Sequence, residues 1–235
     1  MRLPKDLIPE LERRYSRYWW KDDEELNYNE VVADPFKNLI FTILSQNTSS
    51  NNTRRAYISL KKNYKIDPHV LSLADPKELS QVIRPGGLQN VKARRIIEVS
   101  RLIVENYGGD LERLLNLPKE KVREELKKLK GVGDKTADVL MSSIFGQREY
   151  FVVDTHMMRI AKRLGLVDEG ASYEEIQRSL KEFLPLDVGG DRLAGLFWLM
   201  AKYTCDSKKP RCPECLLNDL CKYAKGRGIK RGYDL

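Results

Sequence analysis

All four cysteines of the chain fall between residues 205 and 221, in CDSKKPRCPECLLNDLC, with spacing C-x6-C-x2-C-x5-C through Cys205, Cys212, Cys215 and Cys221. Four thiolates this closely spaced can hold a tetrahedral zinc ion or a [4Fe–4S] cluster. Zinc modules usually arrange their cysteines as two short-spaced pairs, and this spacing does not. A disulfide framework suits a secreted chain, whereas the N-terminus here, MRLPKDLIPELERRY, alternates charge with apolar residues and has no signal-peptide core. Two further stretches suggest chemistry. LKGVGDKTADVL sets two glycines and a lysine at what reads as a helix start, and FVVDTHMMRI puts Asp154 and His156 ahead of an amphipathic run.

The glycine-lysine stretch is not a phosphate-binding P-loop. That motif needs a glycine directly before Lys-Thr and another five residues earlier; those positions hold Asp134 and Leu129. A carboxylate beside the lysine would also repel nucleotide phosphates. A grip on a nucleic-acid backbone fits better. KEKVREELKKL reads as a helix with Val122, Leu126 and Leu129 on its apolar side, followed by the hairpin Lys130-Gly131-Val132-Gly133 and a second helix that Asp134 would cap. Glycines let a hairpin backbone turn sharply and approach a ligand, and helix-start amides suit a phosphodiester oxygen. Such contacts hold DNA without reading its bases. From local sequence Asp154 is itself an N-cap, and His156 reads as structural.

The elements that must position these residues are helical. In LQNVKARRIIEVSRLIVENYG, Leu88, Val91, Ile96, Val99 and Ile103 mark an apolar stripe and Gly108 a stop, while Lys92, Arg94 and Arg95 fall on the opposite, solvated side. Similar stripes run over 4–16, 35–45, 51–62, 117–129, 173–184 and 190–203. Only YFVV at 150–153 is strand-like, too short and solitary to build a sheet. The chain reads as all-α with short connections. A mostly helical body runs to about residue 203, followed by the cysteine segment and a basic tail in which Lys222, Lys225, Arg227, Lys230 and Arg231 face a single acid, Asp234. The net charge of +8 and pI near 9.2 favour a polyanionic partner, nucleic acid first. The longest apolar run, LAGLFWLMA, is well short of the roughly 20 residues that span a bilayer, so no membrane association is expected.

In this order the motifs resemble the endonuclease III superfamily of DNA base-excision glycosylases. There a leucine-(often proline)-glycine-valine-glycine hairpin precedes a catalytic lysine, and a Val-Asp-Thr-His segment follows. Here these read LKGVGDKTA and VVDTH, with Lys130 where proline is common. The cysteine spacing is identical to that of the family's cluster. The resemblance covers about residues 30 to 221. It implies that Lys135 attacks the anomeric carbon of a damaged nucleotide and forms a Schiff base, with strand cleavage by β-elimination. A lysine nucleophile must be partly neutral, which burial in a cleft and the positive end of a helix would favour. Asp154 would stabilise positive charge on the sugar and assist proton transfers. The cysteines would hold a [4Fe–4S] cluster that organises a loop. Lys202, Lys208, Lys209 and Arg211 would form a phosphate-binding patch beside it, next to the contacts of Gly131, Val132 and Gly133.

A base must leave the duplex stack before its glycosidic bond is attacked. In the family a polar residue fills the gap from the loop after an early apolar helix. Aligned on Leu44-Ser45, that place falls at Asn47, with Gln46 one position earlier, and Leu88 and Gln89 are candidates for contacting the opposite strand. The implied fold is two helical lobes. A six-helix barrel spans 35–146, with the helix-hairpin-helix at about 118–145. Segments 1–34 and 147–235 build a cluster-bearing lobe, with the DNA cleft between lobes. The implied enzyme is a monomeric, cytoplasmic, nucleoid-associated bifunctional DNA glycosylase and abasic-site lyase acting on oxidised pyrimidines such as thymine glycol in double-stranded DNA. The alternatives are a mismatch- or adenine-type monofunctional glycosylase, against which Lys135 argues, a noncatalytic helix-hairpin-helix DNA-binding protein, and a zinc protein whose spacing matches by accident.

Overall fold

A computed structural model describes residues 1–19 and 25–232 of the chain; Asp234 of the basic tail lies outside the described residues. Every regular element among them is helical: α1 (Leu7–Tyr15), α2 (Tyr28–Ala33), α3 (Pro35–Ser45), α4 (Ser50–Asn63), α5 (Pro68–Ser72), α6 (Pro76–Val82), α7 (Gln89–Tyr107), α8 (Leu111–Leu115), α9 (Lys119–Lys128), α10 (Asp134–Phe145), α11 (Thr155–Leu164), α12 (Tyr173–Phe183), α13 (Leu186–Tyr203) and α14 (Lys222–Gly226), with short 3-10 turns between some of them. The fold is all-α. The helical course of α13 is broken at Gly190, where the apolar stripe of the sequence begins. None of the helices is long and apolar enough to cross a membrane.

The chain divides into two compact units, Lys21–Ser143 and Met1–Trp20 with Ile144–Leu235. In the first, helix starts are written in the sequence as side-chain caps. Asp34, Ser49, Asp67, Asp75 and Asp110 each accept a hydrogen bond from a first-turn amide, and proline opens α3, α5 and α6. Gly108 ends α7 at φ 66°, where its amide bonds to the last turn. The core joins Leu39, Ile40, Ile43 and Leu44 of α3 to Ile96, Val99 and Ile103 of α7 and to Val122 and Leu126 of α9. The Tyr28 ring meets Phe41 edge-on at 5.4 Å, and Phe41 meets Tyr57 in the same way. This draws α2 onto α3, so residues 25–34 pack with the middle of the chain; sequence alone grouped them with the cysteine-bearing end.

Three residues in and just before α7 depart from the expected face. Val91 and Leu88 are exposed, whereas Lys92 is 1% exposed. The phase of the buried face is set at Lys92, Ala93, Ile96 and Ile97, because Leu88 precedes the helix and Lys92 finds carbonyl partners inside.

The second unit packs α1 and α11–α14 around Leu11, Met157, Ile160, Leu180, Phe183, Phe197 and Met200. Residues 150–153 form no strand. Phe151 and Val153 are fully buried, and side chains take the place of a partner strand. The Gln147 side chain accepts from the Val152 amide and Gln177 donates to the Phe151 carbonyl. The described part of the basic tail is held by contacts with the rest of this unit. Tyr223 lies between the guanidinium groups of Arg163 and Arg227, and the Gly232 amide donates to the Pro213 carbonyl.

Candidate active site and cysteine cavity

The hairpin between α9 and α10 is held from beneath by its own apolar residues. Leu129 and Val132 are buried, and the Val132 amide donates to the Leu129 carbonyl at 2.9 Å. Gly131 has φ 84°, and a Cβ there would overlap the Arg95 side chain, so two independent constraints require glycine. Gly133 meets no such neighbour. Asp134 does not cap α10. It is the first helical residue, its carboxylate bound by Lys127 at 2.5 Å and Arg123 at 2.9 Å, and the Gly133 carbonyl opens the helical ladder. Lys127 and then Arg123 hold the Asp134 carboxyl below the usual aspartate range, against some desolvation. Arg123 also reaches the buried Asp138 at 2.7 Å. With Asp134 turned toward α9, the first-turn amides of α10 are left for an outside acceptor.

Lys135 occupies that first turn. It is exposed, which corrects the expectation of burial, and no ion pair or hydrogen bond from the described residues engages its ammonium group. Lys127, Lys128 and Lys130, by contrast, each pair with a carboxylate.

Gln46 and Asn47 follow α3 and behave differently. The Gln46 amide donates to the Gly131 carbonyl and to Thr136 Oγ1, both at 3.2 Å, and its Oε1 accepts from Arg95. It ties this loop to the hairpin. Asn47 is exposed at φ 52°. Leu88, in the loop before α7, is 54% exposed at φ 49°, with Gln89 opening the helix. Among the described residues these are the only non-glycine positions at positive φ, a conformation costing on the order of 1–3 kcal/mol and rare for leucine.

In the other unit Asp154 caps α11 as expected. Its Oδ1 accepts from the amides of His156 and Met157 at 2.9 Å each, and its Oδ2 from the indole N–H of Trp198 at 2.7 Å. His156 Nδ1 lies 3.0 Å from Arg159. A guanidinium can only donate, so Nδ1 accepts.

The four cysteines line one cavity together with Ile160, Leu164 and Asn218. Burial pushes the Cys215 thiol up to about 12 and raises that of Cys212, and the neighbouring cysteines add to both shifts. No three His, Cys, Asp or Glu side chains among the described residues converge as a single-ion site. Around the cavity, Lys208 and Lys209 are exposed, their amides tied to Asp206 Oδ1. Lys202 lies 4.8 Å over Trp198 and 5.1 Å over Tyr203. Arg211 binds the Tyr203 carbonyl and Glu214.

A family model for HhH-GPD superfamily base excision DNA repair proteins matches residues 40–186. The chain belongs to this family. It is 38% identical over 200 residues to endonuclease III of Thermotoga maritima, covering 85% of this chain and 88% of that one. It is 34% identical to endonuclease III of Sulfolobus acidocaldarius, covering 80% and 82%. A trapped endonuclease III–DNA covalent intermediate in an estranged-adenine complex superposes with a TM-score of 0.76 at 29% identity, over 95% of this chain and 96% of that one. The protein is therefore a base-excision-repair DNA glycosylase of the endonuclease III type, an enzyme class with abasic-site lyase activity.

Within this HhH-GPD chain, three side chains at the sites escaped the sequence reading. Trp198 reaches Asp154 across 44 positions. Arg159 donates to the carbonyls of Cys205 and Ala201, and Arg163 to those of Asp206 and Ser207. Both arginines lie on α11, so the helix capped by Asp154 also grips the first cysteine turn. Their i, i+4 spacing on an amphipathic helix was the available signal, but it reads equally well as a solvated face.

Proposed function

We propose that this glycosylase removes oxidised pyrimidines such as thymine glycol from double-stranded DNA and then cleaves the strand at the abasic site, with Lys135 as nucleophile and Asp154 as the assisting carboxylate. One observation carries the reading: Lys135 stands unpaired and exposed in the first turn of α10, directly behind the hairpin, while the lysines around it are paired. A nucleophile held in an ion pair would be charged and blocked; this one is neither masked by a carboxylate nor far from the amides that would hold a phosphate.

In this mechanism Gly131, Val132 and Gly133 present backbone to a DNA phosphate, with Lys208 and Lys209 as outlying phosphate contacts. Asn47 enters the space vacated by the extruded base, and Leu88 with Gln89 contacts the opposite strand. The neutral Lys135 amine attacks C1′ and the base leaves with the bonding pair. The departing base takes up the proton shed by the attacking amine, and the C1′–O4′ bond then opens, O4′ leaving with its electron pair and taking a proton, to give a protonated Schiff base at C1′. The Schiff base acidifies C2′, and loss of that proton expels the 3′ phosphate by β-elimination. Asp154 stabilises positive charge developing on the sugar and takes part in the proton transfers. On this reading the enzyme works as a monomer at the nucleoid.

The cysteine set fits a [4Fe–4S] cluster. Four thiols lining one cavity with C-x6-C-x2-C-x5-C spacing suit such a cluster, and buried thiols raised in pKa gain from cationic iron. Cys205, Cys212, Cys215 and Cys221 would hold the cluster, which supplies order to the loop carrying Lys208 and Lys209 and takes no part in the chemistry. Purified protein is expected to be brown with about four iron and four sulfide per chain; stoichiometric zinc without iron overturns the cluster.

The deciding experiment is borohydride trapping on a duplex containing one thymine glycol, comparing the protein with Lys135→Ala. A covalent adduct absent from the variant supports the Schiff-base reading. Base release without an adduct moves the protein to the monofunctional glycosylases, and binding with neither release nor adduct on any damaged base leaves a noncatalytic DNA-binding protein.

A further inference from the structure

Lys92 is fully buried on α7, yet among the described residues no carboxylate neutralises it. Its Nζ donates to two backbone carbonyls, that of Leu44 at 2.7 Å and that of Gly86 at 2.9 Å. The Leu44 carbonyl lies in the last turn of α3, where helix carbonyls lack partners and a cation is favoured by the dipole. The Gly86 carbonyl lies in the turn leading to Leu88, and Gly86 is itself packed against Ala56. One ammonium group therefore joins the segments that end in Asn47 and Leu88, the two non-glycine residues at positive φ. One turn further along α7, Arg95 engages Gln46 and lies against Gly131 of the hairpin.

A buried cation without a counter-ion is a costly way to satisfy two carbonyls, and a hydrophobic core position would serve stability better. What Lys92 provides instead is a fixed spacing between two exposed loop tips that local preference would relax. We propose that Lys92 is a positioning residue that holds Asn47 and Leu88 in register, so that the gap left by an extruded base and the strand opposite it are engaged together. This rests on the reading of those two residues as the duplex-penetrating pair, and it adds a residue that never touches DNA.

The test compares wild type, Lys92→Met, Asn47→Ala and the double variant on two substrates. One is a duplex with a single thymine glycol and 2-aminopurine beside it, which brightens when stacking is broken. The other is a single strand with an abasic site, where no base is extruded and no gap is filled. Lys92→Met is expected to lose about 10- to 100-fold in duplex excision, the scale of a small misplacement of reacting groups, and to lose the 2-aminopurine rise. Its rate on the abasic single strand, relative to wild type, should stay within about twofold. The double variant should be no slower on duplex than the slower of the two single variants, since coupled residues are not additive.

Equal losses on both substrates, additive losses in the double variant, or unchanged duplex excision each overturn the inference. If Lys92→Met is poorly folded, Leu88→Ala in place of the lysine change gives a second cycle. Leu88→Ala additive with Asn47→Ala means that the two tips act independently, which also overturns it. A wild type inert on both substrates overturns the underlying glycosylase–lyase reading, and this inference with it.

Discussion

The indole N–H of Trp198 donates to Asp154 Oδ2 at 2.7 Å, while the other carboxylate oxygen is held by two backbone amides of α11. The amides fix where the carboxyl group sits; the indole fixes how it is rotated. His156 packs edge-on against the same indole at 5.8 Å, and Lys202 covers its face. A carboxylate bound on both oxygens can turn only by breaking a charge-assisted bond.

Trp198→Phe keeps an aromatic, though smaller, ring and deletes that bond. A hydrogen bond to a charged group contributes about 1.5–3 kcal/mol, so single-turnover base excision should slow by roughly tenfold or more, with KM and the circular dichroism spectrum unchanged. Excision at the wild-type rate would mean that the indole only packs against Asp154.

Arg123 joins α9 to α10 by bonding both Asp134 and the fully buried Asp138. Arg123→Met removes one of the interactions that hold the buried Asp138 carboxylate, and removing one member of a buried pair is costly. We expect a loss of about 2–3 kcal/mol in urea unfolding, with DNA affinity falling alongside as the hairpin loosens. Arg123→Met with unaltered stability would show that Asp138 is satisfied without the arginine.

The local geometry of the motifs was legible in the sequence because its causes are local. Gly131 is dictated by a turn, Asp154 by a helix start, and the cysteine cavity by spacing along one segment. The apolar stripes of α1, α3, α9 and α12 were legible for the same reason, since a 3.6-residue period reports a buried face directly. Lys92 was misread because residue type stood in for burial: a lysine at the edge of a stripe is assigned to solvent, and nothing nearby in sequence announces the carbonyls of Leu44 and Gly86. Asp134 was misread as a cap because α9 supplies Lys127 and Arg123, which compete for its carboxylate. Trp198 and Asp154, 44 positions apart, meet only through the packing of α11 on α13.

Burial, with a smaller contribution from the Arg95 charge, lowers Lys92 from the usual 10.5 to about 8. Between these values the unfolded chain holds the proton and the folded chain does not, so ν_U exceeds ν_N and stability rises with pH. Below about 8 both states are charged, and the burial penalty is present in full. The stability of wild type relative to Lys92→Met should therefore increase from pH 8 to 10.5 and be flat from pH 6 to 7.5, measured by urea midpoints. A neutral amine still donates two hydrogen bonds, so the contacts to Leu44 and Gly86 should persist across this range. A flat difference throughout would mean that Lys92 remains charged in the folded protein at pH 10.

Gln46 and Asn47 are adjacent, polar and both candidates by sequence for the residue that fills the gap in the duplex; the structure gives them different surroundings. Gln46 is spent on Gly131, Thr136 and Arg95, so Gln46→Ala should cost about 1–2 kcal/mol of stability and affect activity through the hairpin. Asn47 is exposed at φ 52°. Asn47→Gly removes the side chain and relieves the conformation at once. It should hold or raise the melting temperature while lowering excision from duplex, and spare cleavage of an abasic single strand. That combination is hard to obtain from a structural residue, because removing one lowers stability and activity together. If Asn47→Gly excises as fast as wild type while Gln46→Ala does not, Gln46 must leave its three partners when DNA binds, and the wedge is the residue that the unbound fold holds in place.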